Sequence, residues 1–334
     1  MRMTATRPFR LSFADLSLEG EIREGLDAVE QLLRESVKSE YPFVTETAGH
    51  LVNAGGMRFR PLLTLLSAHL GDPAAPGVVP AAVVCELTHL ATLYHDDVMD
   101  EAPLRRGAES ANSRWTNTVA ILTGDFLFAR ASDLLADLGP ECVRIQARTF
   151  ERLVQGQIRE TVGPAVTDDP LAHYLAVLAD KTGSLIATSA RFGAMLGGLD
   201  EPTVDLMTRF GERIGVAFQL ADDLLDVAGD SLESGKTPGT DLREGIPTLP
   251  VIYAQRSGNS ADARLLRLLS GPISDEARVA EALTLLRAHP SLVAASAEVR
   301  RWADDARGVL APLPDTAARR ALESLCDLVV DRTL

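Results

Sequence analysis

The sequence predicts an all-α protein, and three observations carry that expectation. Hydrophobic residues are 46% of the 334 residues but aromatics only 5%, so the core must be built from Leu, Ala and Val, which suits packed helices better than stacked sheets. Apolar positions recur at three- and four-residue intervals along most of the chain. Strand-like alternation is convincing nowhere, so no strand is expected.

After a polar arm over residues 1–15, "FADLSLEGEIREGLDAVEQLLRESV" places Leu26, Val29, Leu32 and Leu33 on one side, as a surface helix does. "PLLTLLSAHL" at 61–70 is apolar nearly all round, which predicts a buried helix opened by Pro61. "GDPAAPGVVP" reads as a loop, and a second buried helix starts at Ala81 and runs into "HDDVMDEAPLRRG" at 95–107. Further helices are expected over 115–138, 141–162, 170–197, 202–228, 247–258, 261–270, 275–288, 292–311 and 315–331. The breakers between them include "TVGPAVTDDP", "LGGLDEP" and "LSGPISD". Only "GDSLESGKTPGTDLREGIP" is long enough to suggest a functional loop. With no low-complexity linker and no 20–50-residue repeat, residues 1–334 read as a single domain.

The net charge of −14 and pI near 4.9 argue against nucleic acid, whose phosphates require clustered cations. Cys85, Cys142 and Cys326 are odd in number, widely spaced and set in apolar helical patterns. They read as buried reduced thiols, which points to the cytoplasm. The N-terminal residues carry arginines but no apolar core of a secretory signal. No stretch of 18 uncharged apolar residues occurs, so no membrane span is expected.

Asp96, Asp97 and Asp100 sit at i, i+1 and i+4, so on a helix Asp100 lies about 40° from Asp96 and Asp97 about 100° round. All three can face one cavity. Grouped carboxylates repel and raise one another's pKa unless a cation neutralises them. Hard oxygen donors in this number suit Mg2+, which binds through a few carboxylates plus substrate phosphates. One such motif is equally well explained by a solvated acidic face. A second, "QLADDLLDVAGD", repeats the spacing with Asp222, Asp223 and Asp226 among Leu220, Ala221, Leu224, Leu225 and Val227. Charges in an apolar helix are costly unless paired or metal-bound. If the two helices face each other, six carboxylates can hold about two or three Mg2+ ions around one diphosphate.

A diphosphate also needs cationic side chains. Arg105 and Arg106 follow Pro103, where the helix should end and the chain can fold back. "GGMRFRP" at 55–61 supplies Arg58 and Arg60, with Gly55 and Gly56 permitting close backbone approach. Lys181 interrupts an apolar helical stretch, and Lys236 lies in the long loop. Together they predict two anion sites, one organised by metal and one by arginine.

These segments resemble the trans-isoprenyl diphosphate synthases, the polyprenyl synthetases, in order and spacing. The resemblance covers nearly the whole chain: "GGMRFRP", the two aspartate-rich motifs, Arg-Arg-Gly at 105–107, "GDFL" at 124–127, "KTGSL" at 181–185 and "GKTPGTDLREGIPTLP" at 235–250. It implies a bundle of antiparallel helices around a deep cavity, usually as a homodimer. It implies that Asp96, Asp97, Asp100 and Asp222, with Asp223 and Asp226 partly through water, bind Mg2+ and an allylic diphosphate. Arg105, Lys181 and Lys236 would grip that diphosphate, with Thr182 and Gln219 nearby. Arg60, His89 and Arg106, with Arg58 close by, would hold isopentenyl diphosphate. His89 alone reads as a core histidine, but it lies seven residues before Asp96 and so on the same helix face. The sequence departs from the family at Met57, where a lysine usually contacts isopentenyl diphosphate.

The implied reaction is head-to-tail, trans condensation of the two diphosphates. Thr88, Ala91 and Thr92 precede Asp96 on one side of its helix, and none is aromatic. Short-chain relatives usually carry a bulky aromatic there, and some carry a blocking Phe where this chain has Ser132. The expectation is therefore a long product, about C35–C50, serving as a quinone side-chain precursor, with geranylgeranyl (C20) as the alternative. A subunit of a heteromeric synthase is a further alternative, although all six aspartates are kept. Class I terpene cyclases also use DDxxD, but their second motif normally carries Asn, Ser or Thr with Glu.

Overall fold

The computed structural model describes residues 15–229 and 238–332. Helix α1, Leu16–Ser36, begins where the Asp15 carboxylate accepts from the Ser17 and Leu18 amides at 2.9 and 3.1 Å, a cap that satisfies two otherwise orphaned donors. It buries Leu18, Ile22, Val29 and Leu33 and leaves its other face exposed. Helix α2, Pro42–Asn53, is absent from the sequence expectations. Its Thr, Glu, Gly and His residues blur the apolar period, and packing of Ala48, Leu51 and Val52 defines it. Helix α3, Phe59–Ala68, starts two residues before Pro61, because Arg58 adopts a left-handed conformation (φ 51°) immediately ahead of it.

Helix α4, Val78–Met99, carries the first aspartate motif at its C-terminal end. By length and composition it is apolar enough to cross a membrane, yet 67% of its apolar window is buried. It packs against α1, α3 and helix α6, Asn117–Leu138. Its Leu87 and Leu90 are fully buried, each contributing about 1.5–3 kcal/mol relative to exposure.

The chain leaves α4 through Glu101 (φ 49°) into a two-stranded antiparallel hairpin, β1 Leu104–Arg105 and β2 Ala108–Glu109. This short hairpin leaves the all-α class intact. Arg106 (φ 54°) and Gly107 (φ 75°) form its two-residue turn, and positive φ at both positions matches the twist of a hairpin. The pairing is too short to leave an alternating pattern. Helix α5, Ala111–Arg114, then leads into α6.

Helices α7, Pro140–Val162, and α8, Pro170–Leu178, follow as expected. The single helix expected over 170–197 is interrupted by a π-helical turn at Ala179–Gly183, before α9, Ser184–Leu196. Such turns widen the helix locally and occur frequently at functional sites. Helix α10, Glu201–Ala228, carries the second aspartate motif. Among the described residues the remaining α-helices are Thr240–Glu244, Leu249–Arg256, Ala263–Leu268, Glu276–Ala288, Pro290–Val309 and Ala317–Asp331.

The described residues group into two compact units. The first comprises the chain through Phe150, Leu185–Gly211 and Pro312–Ser324, and holds the glycine–arginine segment and the first aspartate motif. Ala81, Val84, Cys85, Leu135, Cys142, Ile145 and Phe192 form one of its apolar clusters. The second comprises Glu151–Ser184, Glu212–Ala311 and the chain from Leu325. It holds Lys181 and the second aspartate motif around a core that includes Val227, Leu242, Val251 and Leu286. All three cysteines are buried, and none forms a disulfide among the described residues.

Candidate active site

In the first unit the aspartates occupy three environments: Asp97 is fully buried, Asp96 half-buried and Asp100 exposed at the helix end. Asp97 accepts from the Arg105 Nε at 2.6 Å. Burial pushes the Asp97 carboxyl above its usual range, against the pull of Arg105. Its Oδ2 is buried and has no hydrogen-bond partner. An unsatisfied buried oxygen costs about 1–3 kcal/mol, and a hard cation is the ligand that suits it.

The hairpin turn sends Arg106 away from its neighbour. Arg106 donates to the Gly55 carbonyl, to the Leu51 carbonyl at 3.3 Å, and lies 3.9 Å from Glu86. Gly56 (φ 146°) leaves room for this, since a Cβ there would stand 2.8 Å from the guanidinium. The structure thus joins Arg-Arg-Gly to the Gly-Gly segment.

Arg58 is buried. It donates to Glu30, to Glu86 at 2.9 Å, and to the carbonyls of Val52 and Gly55 at 3.2 and 3.3 Å. These contacts use its donors to hold α1, α2 and α4 together around the loop that precedes α3. Arg60 is differently placed, because its Nε is buried without a hydrogen-bond partner. Burial lowers its pKa to about 10, with Glu86 opposing, so it keeps its charge at neutral pH. Met57 is half-buried between Gly56 and Arg58. His89 is driven well below its ordinary pKa by burial and then by Arg60, Arg106, Arg105 and Arg58. It is a neutral imidazole in a positive field, able to donate from one ring nitrogen and accept at the other.

Below the first motif, Ala91 is fully buried and Thr92 half-buried, its hydroxyl donating to the His89 carbonyl at 2.8 Å. The buried Thr88 hydroxyl donates to the Val84 carbonyl at 2.8 Å and accepts from Gln146 at 2.7 Å. Phe128 stacks on Phe150, with ring centroids 4.4 Å apart. Ser132 lies at the surface and donates back to the Phe128 carbonyl at 2.8 Å.

The second unit holds its carboxylates by other means. Thr182 donates to the Gln219 oxygen at 3.0 Å, Gln219 donates to Asp223 at 2.8 Å, and the Tyr174 hydroxyl donates to the other Asp223 oxygen. Burial raises Asp223 to about 6, opposed by those two donors and reinforced by Asp222 and Glu160. Asp222 accepts from Arg332 at 2.8 Å. Asp226 accepts the amides of Thr240 and Asp241, each at 3.1 Å, which anchors the start of helix Thr240–Glu244. Lys181, in the π-helical turn, pairs with Glu160. A Cβ on Gly156 would stand 2.6 Å from the Lys181 amide, so α7 approaches this turn through a glycine. Lys236 lies outside the described residues.

Among the described residues no three His, Cys, Asp or Glu side chains converge to hold a metal ion. The donor set still fits one: hard carboxylate oxygens, one of them buried and unsatisfied at Asp97. Sequence inspection missed Glu30, Glu86, Glu160, Tyr174 and Arg332, which hold the site residues. Only Glu86 left a signal, as a lone acid in the apolar run "VVCELTHL", where a charge requires a partner.

The sequence profile described as Polyprenyl synthetase matches residues 41–286. A nonaprenyl diphosphate synthase of Mycobacterium tuberculosis is 50% identical over 333 residues, 99% of each chain. A dimethylallyltranstransferase of the same organism is 42% identical over 318 residues, 95% of this chain and 97% of its own. The crystal structure of geranylgeranyl pyrophosphate synthase from Corynebacterium glutamicum, complexed with calcium and isoprenyl diphosphate, matches with a TM-score of 0.85 at 44% identity, covering 96% of this chain and 99% of that one.

Proposed function

The chain belongs to the polyprenyl synthetase family of trans-prenyltransferases, and we propose that residues 1–334 act as one catalytic domain on isopentenyl diphosphate and an allylic diphosphate. The product is a long-chain polyprenyl diphosphate, about C35–C50. One observation supports the assignment of sites: neutral His89, in the positive field of Arg60 and Arg106, lies on the same helix as the first aspartate motif. Seven residues separate His89 from Asp96, or about 10 Å along the helix. That spacing supports an anion site and a carboxylate site two turns apart on one face.

The allylic C–O bond breaks with its electron pair leaving on the diphosphate. The double bond of isopentenyl diphosphate then attacks the allylic carbon, a C–C bond forms, and a proton is lost to the released diphosphate. When bound, Mg2+ supplies positive charge to the leaving diphosphate. Asp96, Asp97 and Asp100 in the first unit, and Asp222, Asp223 and Asp226 in the second, would each serve as ligands for it. Arg105, Lys181 and Lys236 grip the allylic diphosphate, with Thr182 and Gln219 keeping Asp223 oriented. Arg60, Arg106 and His89 hold isopentenyl diphosphate, and Arg58 fixes the loop beneath them. Preorganised donors of this kind stabilise charge as it develops.

Met57 removes a point charge from that second site. Its cost is a raised KM for isopentenyl diphosphate. The small side chains of Thr88, Ala91 and Thr92 leave the growing chain room to elongate, and the 50% identical nonaprenyl synthase supports a long product over C20. Buried cysteines outside any disulfide suit the cytoplasm, and the family suggests a homodimer. Incubation with Mg2+, labelled isopentenyl diphosphate and each allylic primer should give incorporation with at least one primer. No incorporation with any primer would overturn the self-sufficient enzyme in favour of a heteromeric subunit.

A further inference from the structure

Arg332 lies one residue beyond helix Ala317–Asp331, 110 positions from Asp222, and nothing in the motif pattern singles it out. Its Nη2 donates to Asp222 Oδ1 at 2.8 Å. Its guanidinium also lies over the Phe218 ring, 4.7 Å from the centroid. Phe218 precedes Asp222 by one helical turn, so ring and carboxylate share a face of α10. The third observation is that Nη1 is buried and has no hydrogen-bond partner. Both side chains of the pair are largely sheltered, at 21% and 25% exposure, which reduces screening by solvent.

A positive charge therefore stands on the first aspartate of the second triad, held in place by an aromatic platform as well as by the acid. We propose that Arg332 is the resident counter-cation of this triad, pairing with Asp222 when no metal is bound and yielding it when a divalent ion arrives. This rests on the assignment of Asp222 as a metal ligand. A divalent ion and a guanidinium compete for the same carboxylate oxygens. The Phe218 face keeps the displaced guanidinium beside the triad, where its donors are available to an anion brought in with the metal. In the metal-free protein the pair also relieves the repulsion between Asp222 and Asp223. Arg332 thus makes the triad stable before loading and weakens its grip on metal alone.

The test is titration of Mn2+ or Mg2+ into full-length wild-type, Arg332→Ala and Asp222→Asn protein, with melting curves in EDTA and in saturating Mg2+. Arg332→Ala should bind the ion about three- to tenfold more tightly, the factor expected for losing one sheltered ion pair. It should melt about 1–4 °C lower in EDTA, and the gap should close in saturating Mg2+. Arg332→Gln, which keeps part of the stem packing, should shift metal affinity in the same direction. Unchanged or weaker metal binding in both arginine variants overturns the role of Arg332. A wild-type chain that binds no divalent ion, or an Asp222→Asn variant that binds as well as wild type, overturns the metal-ligand assignment as well.

Discussion

The two units treat buried charge in opposite ways. In the first, arginines outnumber the acids that hold them: Glu86 lies against Arg58, which also pairs with Glu30, and near Arg106, and the surrounding guanidinium groups help keep His89 neutral. In the second, Asp222, Asp223 and Asp226 stand together on one helix, restrained by a hydroxyl, an amide, backbone N–H groups and one arginine. The first arrangement carries excess positive charge, as an anion site would require. The second holds a carboxyl pushed up to about 6, so it gains from a proton or a metal. The contrast separates a cluster with an excess of arginines from a triad of crowded carboxylates.

The sharpest way to break that contrast is to remove its hub. Glu86→Ala should destabilise the protein by about 3–5 kcal/mol, the cost of leaving buried charges unpaired, measured by urea unfolding. A loss below about 1 kcal/mol would show that Glu86 does not organise the arginines. Asp97→Asn should lower kcat by about 10²–10³-fold while the protein keeps its fold by circular dichroism. A kcat within threefold of wild type would remove Asp97 from the machinery.

Two smaller effects sharpen the comparison. The Asp223 carboxyl has a raised pKa in the folded state, so the native state binds its proton more tightly than the unfolded chain does. Stability of the metal-free protein should therefore fall as pH rises from about 4 to about 6 and level off above, by at most about 3 kcal/mol. Asp223→Asn should flatten that slope; an identical slope in both proteins would place the titration elsewhere. Met57→Lys should lower the KM for isopentenyl diphosphate by the equivalent of about 1–3 kcal/mol, read from steady-state kinetics, with kcat little changed. A KM that stays put would mean position 57 does not reach the substrate.

Much of this architecture was legible because long helices write their burial into the sequence at every turn. Helices α4, α6, α7 and α10 fall within a few residues of expectation. What escaped lacks that repetition: α2 is defined by packing, the hairpin pairs two residues per strand, and the π-helical turn at Lys181 keeps a helical apolar pattern. The same limit applies to the site. The aspartates and arginines announce themselves by clustering, but Glu30, Tyr174 and Arg332 reach them across 28, 49 and 110 positions, and no local pattern encodes such pairing. Arg58 shows a related limit: its motif places it near the proposed substrate site, but its ion pairs with Glu30 and Glu86 are not encoded there.

The most direct measurement of what the chain does is the length of its product. Purified protein with Mg2+, labelled isopentenyl diphosphate and a short allylic primer should yield polyprenyl diphosphates of about C35–C50, and Ala91→Phe should shorten them. Product that stops at C20 in the wild type, or a distribution untouched by Ala91→Phe, would contradict a long-chain synthase whose cavity passes beneath the first aspartate motif.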